Sequence, residues 1–350
     1  MKFFLSLFLF FVWTYSGYAQ SVNIGSVNEE RGDFRFMFYN VENMFDSFDD
    51  SLSLDNEFLP MGVRNWTWEK YQRKSQKIAK VFLAAGGWEF PDLIGLAEVE
   101  NRFVLDGIFK MGYLNKIGYE IIHRESPDRR GIDVALLYQP ETFHPMDTSF
   151  LKLFYKGAST STTREILYVK GKTNTDDILH VFVNHWPSRW GGQLESETKR
   201  LEAARLLKGK VAEIVAVNSK ALIVIMGDFN DYPNNKSLQK ELNALAPQKK
   251  YSNAKLYNLA YPFVTKTGLG SHKYQGKWGM LDQFIVSGAL LNKMGFLYCA
   301  PEDMSLFKPN FLLEADYTYF GQKPFRSFIG YKYNDGFSDH LPIILDLWRK

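Results

Sequence analysis

The sequence predicts an α+β sandwich in which short, mainly antiparallel strands form two sheets flanked by helices. Three observations lead there. Seven apolar runs recur along the chain, at 34–39, 93–97, 132–138, 179–184, 221–226, 283–286 and 341–345, each short and rich in Ile, Val, Leu and aromatic residues. Several are apolar at nearly every position instead of alternating, which is the pattern of strands covered on both faces. Amphipathic stretches of helical period lie between them, and no internal repeat or low-complexity linker interrupts the series. One continuous unit over 33–350 is therefore expected.

The elements follow in order. Met1 and Lys2 precede an apolar run at 3–13 and then the small residues Ser16, Gly17 and Ala19, the charged, apolar and small-residue order of a secretory signal peptide. This run of about 11 residues, apolar except for Ser6, falls short of the roughly 20 that span a bilayer. The expectation is a signal peptide at 1–19 cleaved near Ala19/Gln20 and a polar leader at 20–32. The mature protein is expected to be secreted or periplasmic and monomeric, with no stable membrane insertion. In the first helix Trp68, Tyr71, Ser75, Ile78, Phe82 and Ala85 recur at spacings of three or four, with Thr67 as N-cap and Gly86-Gly87 as terminator. In the second, Leu201, Ala204, Leu207, Val211 and Ile214 form the stripe, with Glu195, Glu197, Lys199 and Arg200 on or near the exposed side.

Composition narrows the chemistry. With 350 residues, 45% hydrophobic, the chain can bury a sizeable core, and a net charge of +3 argues against a dedicated basic coat for nucleic acid. The single cysteine, Cys299, excludes an internal disulfide framework and a multi-cysteine zinc site, and is expected to be a small core residue. Any metal must be held by carboxylate, amide or imidazole groups.

Polar residues gather at strand ends. Asn40 and Glu42 follow the first strand, Glu98 the second, His185 the fourth, and Asp228 and Asn230 the fifth, while Asp282 precedes the sixth and Asp339-His340 precede the seventh. In a largely antiparallel sandwich, the C-terminal ends of some strands share a rim with the N-terminal ends of others. The expectation is one cluster of carboxylates, amides and imidazoles. This donor set suits a hard cation, Mg²⁺ or Mn²⁺, better than zinc.

Asn40-Val41-Glu42, Gly95-Leu96-Ala97-Glu98, Asn184-His185-Trp186-Pro187-Ser188, Gly227-Asp228-Phe229-Asn230, Leu281-Asp282 and Ser338-Asp339-His340-Leu341-Pro342 resemble, in order, the signature blocks of the endonuclease/exonuclease/phosphatase superfamily. The resemblance runs from about residue 34 to the C-terminus. It implies a four-layer αββα sandwich and metal-dependent hydrolysis of phosphate esters. It also implies roles: Glu98 as metal ligand, Asn40 supporting the metal or its water, Glu42 and Asp339 as further ligands, and Asp228 activating the attacking water with Asn230 holding it in line. His340 pairs with Asp282, and His185 is the second histidine. Arg130, Arg164 and Arg189 are candidates to grip the substrate phosphate, and Asp133 is an alternative support for His185. The aromatic segment 304–337 is placed to overhang the site, most of its rings packing on the domain. The expected activity is an exported nuclease acting on DNA or RNA. The alternatives are a phosphatase or a sphingomyelinase-like or inositol-phosphate hydrolase, and then a non-catalytic binding module.

Overall fold

The computed structural model describes residues 31–350 apart from Leu52, Trp88, Met111, 156–162, Trp190 and 265–268. The expected signal peptide and residues 20–30 of the leader lie outside the described residues. In chain order the strands are β1 (Phe34–Met44), β2 (Leu93–Val99), β3 (Glu120–His123), β4 (Asp133–Tyr138), β5 (Phe143–Leu151), β6 (Ile166–Thr173), β7 (Ile178–His185) and β8 (Leu222–Asp228). There follow β9 (Ala244–Leu245), β10 (Leu256–Asn258), β11 (His272–Tyr274), β12 (Lys277–Gly279), β13 (Asp282–Ser287), β14 (Leu297–Tyr298) and β15 (Met304–Leu306). The last are β16 (Leu313–Ala315), β17 (Gln322–Pro324), β18 (Phe328–Ile329), β19 (Lys332–Tyr333) and β20 (Ile343–Arg349). Three helices matter here: α1 (Trp68–Gly86), α2 (Arg102–Phe109) and α3 (Gln193–Val217).

Two large sheets carry the architecture. The first runs β14-β20-β1-β2-β4-β3, with β15 also paired to β20, and the second runs β5-β6-β7-β8-β13-β10-β9. Most neighbours are antiparallel, as expected, but β1 with β2, β7 with β8 and β9 with β10 are parallel. Side-chain alternation sets the layers. In β8, Leu222, Val224 and Met226 face the core shared with the first sheet, while Ile223 and Ile225 join Ala204, Leu207, Val211 and Ile214 beneath α3. Phe36 meets Phe284 across the gap between sheets at 6.4 Å, edge to face. At Gly95 a Cβ would lie 2.8 Å from the Met226 methyl, so β2 has no side chain where Met226 of the second sheet packs against it. The order is α1 and α2, first sheet, second sheet, α3.

All seven expected strands are present, as are both helices. Thr67 is the N-cap of α1 without a side-chain hydrogen bond, and Gly87 closes the helix at φ 63°. The nine-residue β5, the eight-residue β6, the short strands and α2 went unread. β5 contains Pro145 and lies at a sheet edge, where proline is tolerated. Arg200 is a correction: it is fully buried, with Nε 2.8 Å from Asp231 Oδ2. The partner lies beyond the helix, so helical periodicity could not reveal it. Cys299 is buried in the core. The 304–337 rings divide. Phe307 and Phe328 are buried and Phe311 and Phe325 pack on the core, whereas Tyr317 and Phe320 are exposed.

The ends of the chain are joined by one buried ion pair. Arg35 in β1 faces Asp346 in β20 in register, and its Nε and Nη2 donate to the two carboxylate oxygens at 2.7 and 2.8 Å while Nη1 donates to the Ala85 carbonyl at the end of α1. Asp346→Ala would leave the guanidinium buried and uncompensated. The expected loss is about 3–5 kcal/mol of stability by urea unfolding, and a loss below about 1 kcal/mol, the level of an exposed pair, would refute the assignment.

Candidate active site

Strand register assembles the rim. Because β1 and β2 are parallel, Asn40 aligns with Ala97 and Glu98 follows at the same end. Because β7 and β8 are parallel, His185 aligns with Asp228, and because β13 is antiparallel to β8, its first residue Asp282 also aligns with Asp228. β20 runs antiparallel to β1, which brings Asp339 and His340, just before it, to the same end. Two backbone irregularities then aim the side chains. The ladder slips between Asn40 and Met44 and again between Ala97 and Val99, and Glu42, Asn43 and Glu98 have φ of 52°, 52° and 64°. Such bulges re-aim side chains beside functional sites.

The centre is polar and buried. The Asn40 amide donates to Glu98 Oε1 at 3.3 Å and to Asp228 Oδ2 at 3.1 Å. Its Oδ1 accepts the Glu42 backbone N–H at 3.0 Å. That contact uses one of the oxygen's two lone pairs, and the Asn40 amide group faces the carboxylates as a donor. The Asn230 backbone N–H holds Asp228 Oδ1 at 2.9 Å. His340 Nδ1 meets Asp282 Oδ2 at 2.6 Å, the expected pair, and His340 Nε2 lies 3.8 Å from Asp228 Oδ2. On the other side, His185 Nε2 lies 3.8 Å from Glu98 Oε1 and 3.9 Å from Asp228 Oδ2. These spacings are too long for hydrogen bonds, so both Nε2 atoms retain capacity for an incoming group.

The two imidazoles are electrostatic opposites. Burial pushes His340 down, but Asp282 and Asp228 outweigh it and hold the ring well above its ordinary value. Burial, then Arg164 and Arg130, drive His185 well below. Burial lifts Asp228 to about 7, with His340 opposing and Asp282 reinforcing.

A second acidic pair stands behind this centre. Glu42 Oε2 accepts the Ser327 N–H at 2.7 Å, and Arg326 Nη2 lies 3.4 Å from Glu42 Oε1 and 3.1 Å from Asp339 Oδ2. Lys74 from α1 donates to the Glu42 carbonyl and to Ser327 Oγ. The Glu42 carboxylate is thus taken up by the 326–327 turn and not by the Asn40–Glu98 group. Burial, then Asp339, raise it to about 7, whereas at Asp339 the upward push of burial is outweighed by Arg326 and His340, leaving it at about 2. Sequence reading missed Arg326 and Lys74. Lys74 had a signal: it falls three residues after Tyr71 and four before Ile78, on the buried face of α1.

The arginines differ from expectation. Arg164 is buried, bonded to Asp128 Oδ2 and to the Trp186 carbonyl at 3.0 Å each. Arg189 braces the Asn230 carbonyl, Asp231 and Asn235. Both serve the loops that carry His185 and Asn230, and Arg130 alone of the three is exposed. Asp133 lies 3.3 Å from His123, not beside His185. A third histidine, His272, went unread; its ring lies 4.8 Å from that of His340.

Carboxylate oxygens from both sheets, Glu98 and Asp228, fit a hard divalent cation. Among the described residues, two trios offer ligand atoms within 4.8 Å of one another: Asp228, Asp282 and His340, and His272, Asp339 and His340. Lys74→Met should destabilise the fold by about 3 kcal/mol, because Glu42 would lose a buried cation. Adding Glu42→Gln should recover part of that loss in urea unfolding, and strict additivity of the two changes would contradict the coupling.

Comparison with known proteins agrees with this fold. No curated protein matches the chain. Among solved structures, the Bacteroides thetaiotaomicron mannosyl-6-phosphatase is similar at TM-score 0.56 and 16% identity, covering 90% of this chain and 99% of its own. The human Nocturnin catalytic domain with bound sulfate aligns at TM-score 0.52 and 15% identity, covering 91% and 94%. D. rerio TDP2 complexed with a single-strand DNA product aligns at 0.53 and 12%, covering 90% and 98%. At such identities the likeness is one of fold. A sequence model of the Endonuclease/Exonuclease/phosphatase family matches residues 35–349. The chain belongs to the endonuclease/exonuclease/phosphatase family, whose members hydrolyse phosphate esters.

Proposed function

We propose that the protein is an exported Mg²⁺- or Mn²⁺-dependent phosphodiesterase that hydrolyses DNA or RNA by attack of an activated water on phosphorus. One observation carries the reading: two imidazoles of opposite electrostatic character, His185 and His340, flank the Glu98–Asp228 pair. A phosphodiester transition state gains charge on its non-bridging and leaving oxygens together, so donors are needed on two sides.

Glu98 would hold the cation beside Asp228, where it supplies Lewis-acid polarisation of a phosphoryl oxygen. Asp228 Oδ2 faces the pocket, since the Asn230 N–H holds Oδ1, and accepts a proton from the attacking water. The Asn40 amide steadies the facing oxygens of Glu98 and Asp228. His340 presents a proton at Nε2 to an oxygen that gains charge, and Asp282 at Nδ1 stabilises the imidazolium. His185, kept neutral, offers its Nε2 for a hydrogen bond with the phosphoryl group on the opposite side.

A second reading, a phosphatase or a hydrolase of small lipid or inositol phosphates, has its own observation. Arg164 and Arg189 are spent on internal bonds, so they add nothing to a basic track for a long polyanion. Purified protein incubated with plasmid DNA, RNA, sphingomyelin and inositol phosphates separates the readings. Plasmid or RNA cleavage that stops with chelator and returns with Mg²⁺ is expected, and Glu98→Gln or Asp282→Asn should lower turnover by about 10²–10⁴-fold. Release of inorganic phosphate from monoesters with nucleic acid left intact would favour the second reading. No metal-dependent turnover of any substrate would sink both.

The signal-peptide pattern supports export, and the exported form is proposed to be a monomer with its catalytic unit at 33–350. Among the described residues no helix is long and apolar enough to cross a membrane. N-terminal sequencing of the protein from a secreting host should start at Gln20. An intact Met1 in the soluble extract would rule the export reading out.

A further inference from the structure

We propose that His272, Asp339 and His340 form a second metal site, selective for zinc-like ions, whose occupancy silences the hydrolytic centre by taking the Nε2 lone pair of His340. His272 has no part in the hydrolysis described above, yet the fold fixes it at the rim. Ser271 accepts the Leu341 N–H on its carbonyl at 2.7 Å and the Asp282 N–H on its hydroxyl at 3.2 Å, tying the residue before the β11–β12 hairpin to Asp282 and to the residue that follows His340. His272 and His340 face each other as an isolated antiparallel bridge, with ring centroids 4.8 Å apart and planes at 39°.

The donor set differs in kind from that at Glu98. One carboxylate oxygen and two imidazole nitrogens lie within 4.8 Å of one another. Ligands about 2.1 Å from a tetrahedral zinc stand roughly 3.4 Å apart, so the widest gap in the trio must close by about 1.4 Å when the ion binds. Two imidazoles with one carboxylate and an open fourth position match a borderline cation, whereas Mg²⁺ prefers oxygen. The second shell is already in place. Asp282 holds His340 Nδ1 at 2.6 Å, the carboxylate–imidazole arrangement that directs Nε2 to a metal. Arg326 occupies Asp339 Oδ2 and leaves the other oxygen of that carboxylate for the ion.

Silencing follows from exclusivity. Nε2 of His340 can carry a proton for the phosphoryl group or a bond to the ion, never both. This half of the proposal rests on the hydrolytic role given to His340 above, and the binding half does not.

The test uses the full-length mature chain saturated with Mg²⁺. Zn²⁺ binding is followed by calorimetry, and Co²⁺ binding by the visible absorption of low-coordinate cobalt. One site is expected, weakened at least tenfold by His272→Ala and by His272→Gln, the second variant guarding against a packing defect in the first. In parallel, Zn²⁺ should suppress Mg²⁺-supported turnover of the wild type, and His272→Ala should keep that turnover while losing at least tenfold in zinc sensitivity. Zinc affinity unchanged in both His272 variants, or lost in Glu98→Gln but not in them, overturns the site. Zinc bound through His272 in a protein that hydrolyses nothing would uphold the site and remove the proposed function instead.

Discussion

The side-chain amide of Asn40 is where the two sheets meet chemically. Glu98 belongs to the first sheet and Asp228 to the second, and two carboxylates brought together out of water repel unless something positive or hydrogen-bonding lies between them. The Asn40 NH₂ group donates to both. The same residue accepts the Ser338 hydroxyl on its carbonyl at 2.7 Å, and Ser338 in turn accepts the His340 N–H. One side chain and its own backbone therefore reach β2, β8 and the segment that presents His340. A slip of one residue in any of the registers around it would turn a side chain of this rim to the opposite face.

Holding that convergence costs free energy. Glu42, Asn43, Glu98 and Asn230 all adopt positive φ, a conformation worth about 1–3 kcal/mol of strain for a residue with a side chain. Asp228, Asp282, His185 and His340 are all buried. The scaffold that offsets these costs is rigid where the site needs it. The strands are covered on both faces, Met226 fills the space that Gly95 leaves, and Arg35 with Asp346 joins the first and last strands of the same sheet. Stability and reactivity are linked through β1 and β20, whose pairing both buries that ion pair and delivers Asn40 and His340 to one end.

Much of this was legible in the sequence because strand ends are marked by abrupt changes from apolar to polar. The seven apolar runs gave seven of the strands but not the nine-residue β5 or the eight-residue β6, and the residues flanking them gave Asn40, Glu98, His185, Asp228, Asp282 and His340. What stayed hidden depends on partners distant in the chain. Arg326 bridges Glu42 and Asp339 from a stretch that carries only short hairpins, Arg200 looks like a solvent-facing helix residue until Asp231 is known, and His272 sits in a three-residue strand with no period to read. The side-chain amide of Asn40 was placed at the site correctly, but which of its ends faces the carboxylates is set by the Glu42 N–H, a bond that exists only because the backbone bulges. The arginines show the converse: basic residues near a phosphate site invite a substrate role, yet Arg164 and Arg189 satisfy loop carbonyls and buried carboxylates.

The central claim is that the seam between the sheets, at Glu98 and Asp228 with Asn40 between them, is the reactive centre. Anomalous diffraction from crystals soaked in Mn²⁺ and inorganic phosphate tests it most directly. A manganese peak bonded to Glu98 is expected, with a phosphate oxygen within hydrogen-bond reach of the His340 or His185 Nε2. Manganese bound away from Glu98, with the Asn40–Glu98–Asp228 contacts unchanged, would contradict it.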